Sequence, residues 1–416
     1  MAAERRLDGS RASIDCQSKM FKSMEKLQIA ICLALLSVLI VLLLRPFDEF
    51  VMDRLRQPTA LDVAYRILAK HPLADTHNDW PMKLKVLEGA QIEDADLQDM
   101  DETLFNTDIT RLRKGRVSVQ VWSAYIGCSK ELKDWLNIRK TLEQIDLIKR
   151  VIERHSDVFE LTTKASQIVP AVNRGKIASM IGIEGGHQMQ ESIATLRMYY
   201  DLGVRYMTLT HSCHTAWADS CSMPPWHHGL TRFGERVVRE MNRLGMLVDI
   251  SHVSHETMRS VMNVTKAPLF LSHSSVYSLC ETERNVPDDV LLAMKHRDGV
   301  VMINFWPALL TCSNTATIED VADHIMYVVR LIGSEHVGFG ADFDGLVELP
   351  VGLEDVSKYP YLVASLVNRG LSNQQIAGII GGNFIRVLQK TEQVANSLRI
   401  AGATPDETVV TVSDDC

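Results

Sequence analysis

The chain has 416 residues, enough for one large domain or two ordinary ones, and its 46% hydrophobic and 23% charged residues are ordinary globular proportions. A formal net charge of −8, with no long basic run, gives no reason to expect a nucleic-acid partner.

Residues 1–26 read as a short tail carrying Arg5, Arg6, Arg11, Lys19, Lys22 and Lys26. Residues 27–44 then read LQIAICLALLSVLIVLLL, interrupted only by Gln28, Cys32 and Ser37. As a helix this run spans about 27 Å, close to the ~30 Å hydrocarbon core of a bilayer. It has no polar face, so it does not read as a buried helix of a soluble domain. A cleaved signal peptide is the stronger rival. Yet the run is longer than the usual apolar region and meets Arg45-Pro46 with no small-x-small cleavage pattern. It reads as an uncleaved signal anchor whose partner is the lipid bilayer.

Only Arg45, Arg54 and Arg56 follow the span closely. The positive-inside rule therefore leaves the N-terminus in the cytoplasm, as in a single-pass type II protein of the plasma membrane, with the bulk of the chain outside. The polar C-terminus (TPDETVVTVSDDC) offers no hydrophobic tail for a glycolipid anchor. An exterior location makes Asn263-Val264-Thr265 readable as a glycosylation acceptor at Asn263. Cys16 and Cys32 fall in the tail and anchor, and the other six of the eight cysteines lie where disulfides persist.

After a charged stalk at 45–60, residues 61–395 read as one domain, and 396–416 as a tail. A helical segment (LDVAYRILAKH) comes first. Short β-branched or apolar runs follow at Leu73–His77, Ser118–Tyr125, Ala178–Gly185, Tyr206–His211, Gly245–His252, Ala267–Ser274, Gly299–Trp306 and His336–Phe343. Amphipathic stretches separate most of them. Thr231–Leu244, for example, puts Phe233, Val237, Val238, Met241 and Leu244 on one face, and Gly245 ends it. Eight strand-helix units with nearly continuous strand hydrophobicity predict a parallel (β/α)8 barrel, rather than an open doubly wound sheet. The helical C-terminal part would pack outside it.

The polar residues at the strand ends carry the chemistry. His77 and Asp79 end or follow the first strand, Glu184 ends the third, and His211, His252 and His273 end the fourth, fifth and sixth. Asp342 ends the eighth, with Asp344 close by. The strand ends of a parallel barrel open on one face, so residues far apart in the chain converge on a single mouth. Taken singly, each has a bland reading: a hydrogen-bonded histidine, a capping or turn aspartate, a solvated loop carboxylate. Four histidines with two or three carboxylates on one mouth are another matter. They exceed one tetrahedral zinc site and suit two, with Glu184 as the natural bridge. His187 and His214 sit near the mouth with no role assigned.

From about Leu61 to Val394 the sequence resembles the membrane dipeptidase (renal dipeptidase) family of zinc metallopeptidases. The stretches that carry the likeness are DTHNDWP, GIEGGHQ, LTLTHSC, GLTRFGERVVREMNRLGMLVDISHVS, SHSSVYSLCETERNVPDD and VGFGADFDGL. The resemblance implies two Zn2+ per chain, one bound by His77 and Asp79, the other by His252 and His273, with Glu184 bridging them. It also implies that His211 and Arg284 contact substrate and that Asp342 handles the proton. A metal-bridging hydroxide would then attack the peptide carbonyl, with His211 donating to the oxyanion. Asp342 would pass the proton to the leaving amine, and the Arg284 fork would take the free carboxylate of a dipeptide. Without the resemblance Arg284 reads as a surface residue. By family analogy the substrates include cysteinylglycine-type peptides and β-lactams.

Three positions depart from the family's commoner residues. His214 and Ala216 stand where Asn and Pro are usual, and Trp80 stands in place of Leu. These departures are expected to reshape the pocket for the substrate's first side chain. Four cysteines, Cys128, Cys213, Cys280 and Cys312, fall in loops on the mouth and allow three pairings. Proximity, and bridges at corresponding places in the family, favour Cys128–Cys213 and Cys280–Cys312, leaving Cys221 over. The family's dimeric habit suggests a homodimer linked through Cys416. Two other readings compete: a barrel hydrolase acting on another amide, lactone or phosphoester, and a non-enzymatic surface binding protein. The complete ligand set speaks against the second.

Overall fold

The computed structural model describes residues 15, 18–41, 57–87, 89, 92, 97–128 and 136–408. The chain falls into two units, Met1–Thr59 and Ala60–Cys416. In the first, Ser18–Val41 is one helix of 24 residues, with exposed side chains, long and apolar enough to cross a membrane. The sequence expectation placed the span at 27–44; residues 42–44, most of the stalk and Cys416 lie outside the described residues.

In the second unit nine strands run in chain order: β1 Leu73–Asn78, β2 Val117–Tyr125, β3 Phe159–Leu161, β4 Ile177–Glu184, β5 Val204–Thr208, β6 Leu247–Asp249, β7 Phe270–Ser274, β8 Val300–Ile303 and β9 Val337–Phe339. Their lateral order is β2-β1-β9-β8-β7-β6-β5-β4, all pairings are parallel, and β2 pairs with β4 to close the ring. This is the predicted (β/α)8 barrel. The strand missed in the sequence is β3. It pairs with Ile177–Ser179, ahead of the stretch from Ile181 where β4 pairs with β5, so it extends one seam without joining the ring. Three residues are too few to show a period.

Alternation along the strands divides the apolar residues between two cores. Val119, Val121, Met180, Leu247, Phe270, Val300 and Met302 form one cluster, to which Phe384, Val387 and Leu388 of the helix Asn383–Ile400 add their side chains. Their sequence neighbours Trp122, Ile181, Val248, Leu271 and Val301 belong to the larger cluster shared with the surrounding helices. Period-2 alternation sorts each strand into two faces, and both faces are buried, as a barrel inside a ring of helices requires. The 231–244 prediction holds: Thr231 caps the helix Arg232–Leu244, accepting from Gly234 N, and Val237, Val238 and Met241 are buried.

Most observed strands stop earlier than the apolar runs suggested. His211, His252 and Asp342 each lie three residues past a strand end, not on it. At His252 (φ 62°), Asp342 (φ 68°) and Asp344 (φ 66°) the backbone is left-handed, a conformation that costs free energy in residues other than glycine. The ladder ends there because the chain turns to bring these side chains back over the mouth.

Candidate metal centre

β1 and β7 shift register between Asp75 and Asn78 and between Leu271 and Ser274, the stretches that bear His77 and His273. Such irregularities re-aim side chains. The two imidazoles stack with centroids 3.7 Å apart. Glu184, at the end of β4, lies between two groups of potential ligands. Its Oε2 is 3.5 Å from His77 Nε2, which is itself 3.6 Å from Asp79 Oδ2. Its Oε1 is 3.0 Å from His252 Nε2 and 3.2 Å from His273 Nε2. Asp342 Oδ1 lies 3.8 Å from His77 Nε2, and its Oδ2 accepts from Asn304 Nδ2 at 3.0 Å.

The donor set fits cations. His77 Nε2 and Asp79 Oδ1 are buried without a hydrogen-bond partner, an expensive state for polar atoms unless something else binds them. His252 Nε2 and His273 Nε2 face each other at 2.8 Å. His77, Asp79 and Glu184 form one group with the spacing of metal ligands; Glu184, His252 and His273 form another. One carboxylate therefore serves both groups, one oxygen to each.

The electrostatics agree. Burial, with the Asp79 and Glu184 charges adding to it, pushes the Asp342 carboxyl up to about 8. Burial holds His252 and His273 well below the ordinary imidazole range, so they are neutral donors. Burial opposes ionisation of Glu184, but the neighbouring His77 and His211 outweigh it and lower its pKa well below the usual range. Three carboxylates crowded into one buried spot call for positive charge.

The cluster floors a cavity of about 560 Å3 bordered by His211, His252, Arg284 and Asp342, a size usual for small-molecule sites. An apolar wall of Met82, Tyr125, Trp306 and Leu346 completes it. His211 packs edge-on to Tyr125, and its Nε2 is 3.6 Å from Glu184 Oε1; burial lowers its pKa. Arg284 is buried and not a surface residue. It donates to Ser274 Oγ (2.6 Å) and to the His273 carbonyl (2.7 Å), which uses two of its five N–H donors. Cys221, a free thiol, borders the same cavity, and burial raises its pKa.

Trp80 and His214 fall elsewhere, against expectation. Trp80 is buried against Trp122 and Phe159, with its indole N–H on Met100 Sδ. His214 accepts from Ser220 N and so donates through Nε2 to the Pro224 carbonyl, knitting its own loop. Neither borders the cavity. His187 bonds the Ile126 carbonyl through Nε2, and burial lowers its pKa to about 4. Asn263 is exposed near the end of the helix His255–Val264. Sequence reasoning missed Tyr125, Asn304 and Trp306, which carry no signature apart from their place at strand ends.

The disulfides are Cys128–Cys213 and Cys280–Cys312. The second spans 32 positions and ties the loop carrying Arg284 to the loop after β8. Replacing Cys280 and Cys312 by Ser is expected to cost about 3–4 kcal/mol of unfolding free energy, read by urea denaturation. A change under about 1 kcal/mol would mean that the loops are held by their packing alone.

A closed parallel barrel with imidazoles and carboxylates gathered at its C-terminal mouth defines a metal-dependent hydrolase. The sequence profile of the membrane dipeptidase family (peptidase family M19) matches residues 61–401. The chain is also 43% identical over 380 residues to the dipeptidase aclJ of Aspergillus oryzae, covering 89% of each chain. It belongs to the membrane dipeptidase family, whose members are metal-dependent dipeptidases. Solved structures share the fold at lower identity. The probable dipeptidase PvdM of Pseudomonas aeruginosa superposes with a TM-score of 0.74 at 18% identity, covering 81% of this chain and 99% of that one. A metallopeptidase of Rhodobacter sphaeroides, solved with a phosphinate mimic of the dipeptide L-Ala-D-Ala, gives 0.69 at 22% identity, covering 77% and 99%.

Proposed function

We propose that the chain hydrolyses dipeptides with two zinc ions, one held by His77 and Asp79, the other by His252 and His273, and both by Glu184. The observation that carries this reading is the division of the Glu184 carboxylate between two ligand groups. Zinc bound there would bring the pKa of water toward neutrality and polarise the scissile carbonyl.

The chain's own residues supply the rest. Asn304 occupies one oxygen of Asp342 and leaves Oδ1 facing the cluster, poised to take a proton and pass it to the leaving amine. His211, beside Glu184 on the cavity wall, can donate to the carbonyl oxygen as negative charge develops. Arg284 offers a planar fork for the substrate's free carboxylate, which selects dipeptides over longer chains. The apolar wall suits hydrophobic side chains; that the Rhodobacter relative binds a dipeptide mimic supports a dipeptide-sized occupant. Cysteinylglycine-type peptides and β-lactams are candidates from the family. The helix Ser18–Val41 anchors the protein as a type II plasma-membrane protein with the barrel outside, where Asn263 would carry a glycan.

Dipeptide hydrolysis should vanish on exhaustive chelation and return with zinc, and undiminished turnover by chelated enzyme would refute the proposal. Arg284→Met should raise KM about 10–100-fold for free dipeptides, the worth of a charge-assisted bond pair. Amidated dipeptides should be hardly affected. An equal loss on both substrates would remove Arg284 from carboxylate recognition.

A further inference from the structure

Beneath the two ligand groups lie two hydrogen-bond relays of different chemistry. The first starts at His77. Its Nδ1 is 2.8 Å from the Tyr206 hydroxyl, which in turn donates to the Thr76 carbonyl at 3.2 Å. The phenol has one proton, and the carbonyl can only accept. With that proton on Thr76, the Tyr206 oxygen accepts from His77 Nδ1–H, and His77 Nε2 keeps its lone pair. The other tautomer would sacrifice the Tyr206–Thr76 bond. Tyr206 can reach His77 because residue 182 of the neighbouring strand β4 is glycine. A Cβ there would lie 2.1 Å from the Tyr206 ring.

The second relay starts at His273. Its Nδ1 is 2.7 Å from Ser272 Oγ, whose only proton goes to Asp249. Asp249 also accepts from Ser251 N, Ser272 N and Thr208 Oγ1, and it is fully buried. Ser272 therefore accepts from His273 Nδ1–H, which leaves the Nε2 lone pair facing Glu184 Oε1 and His252 Nε2.

We infer that Tyr206, and Ser272 with Asp249, are positioning residues that hold His77 and His273 in the Nδ1–H tautomer, one relay for each metal position. The inference rests on the two-zinc reading. The relays match their sites. The His77 group already contains the Asp79 carboxylate and is backed by a neutral phenol and a carbonyl. The His252–His273 group has no carboxylate but the shared Glu184, and it is backed by the Asp249 carboxylate, which makes His273 a stronger donor. Negative charge thus reaches the second position indirectly, through Ser272.

Zinc binding tests this without recourse to activity. Full-length protein would be stripped, then titrated with zinc alone against a chelating indicator. Wild type should bind two ions per chain. Tyr206→Phe, which keeps the ring over Gly182, and Ser272→Ala should each weaken one of the two by about 10–100-fold and leave the other within about threefold. The double variant should weaken both. A second readout is the 15N shift of the His77 and His273 ring nitrogens in stripped protein, where each single variant should disturb the tautomer of its own histidine only. Two tightly bound zincs in both single variants, with unchanged ring shifts, would overturn the relays and leave the proposed function standing. A wild-type chain that binds no zinc would overturn the function reading, and the relays with it.

Discussion

Glu184→Gln should abolish dipeptide hydrolysis, with kcat/KM falling by at least about 10³-fold, a loss of some 4 kcal/mol in transition-state stabilisation. Glu184 turns one carboxylate oxygen to each ligand group. Oε1 meets His252, His273 and His211, while Oε2 meets His77 and, at 3.5 Å, Ser123 Oγ. Glutamine keeps the volume but not the charge, and its amide N–H2 must point at one of the two groups. If it faces the His252–His273 pair it sets donors where a cation should be; if it faces His77, the first group suffers instead. Either orientation removes the charge that two cations would share. Zinc content by atomic emission should fall below one per chain, while the fold survives, because Glu184 is a polar residue at a strand end and not part of the apolar core. A Glu184→Gln enzyme retaining two zincs and activity within about tenfold would show that another residue bridges the metals.

The parts of this site that could be read in the sequence are those where residue type and strand position coincide. Glu184 ends an eight-residue buried strand, and His77 and His273 lie inside strands of clear β character. His211, His252 and Asp342 were found by the same logic although they lie in loops, since the apolar runs carry on past the last paired residue. Arg284 was beyond such reasoning: its burial depends on contacts to Ser274 and the His273 carbonyl, and no local pattern in ETERNVPDD announces them. Tyr206, Ser272 and Asp249 were hidden for a different reason. Each looks like an ordinary strand residue, and the meaning of its hydroxyl or carboxylate depends on which neighbouring strand it meets across the barrel. Trp80 and His214 mislead in the opposite sense, because closeness in sequence to Asp79 and His211 does not make them neighbours of the cavity.

Gly345→Ala should disable the site while sparing the fold, a combination that few substitutions in a buried centre would give. A Cβ at residue 345 would lie 2.4 Å from Asp79 Oδ2 and 2.6 Å from Asp342 Oδ1, well inside van der Waals contact with both. Without bound metal the clash is cheap to relieve, because the Asp79 carboxylate can rotate away, and unfolding free energy in chelator should drop by no more than about 1–2 kcal/mol. With metal, the same rotation withdraws a ligand from the His77 group, and a shift of Asp342 spoils the oxygen that faces His77. Hydrolysis should therefore fall at least about 100-fold, near 2.7 kcal/mol. The thermal shift on adding zinc discriminates further. A protein that binds metal only when folded gains about 4 kcal/mol at a thousandfold excess over Kd, so wild type should melt markedly higher with zinc. The alanine variant should lose most of that gain while matching wild type in chelator. Wild-type activity together with a wild-type zinc shift would show that Asp79 and Asp342 do not need the space that glycine leaves them.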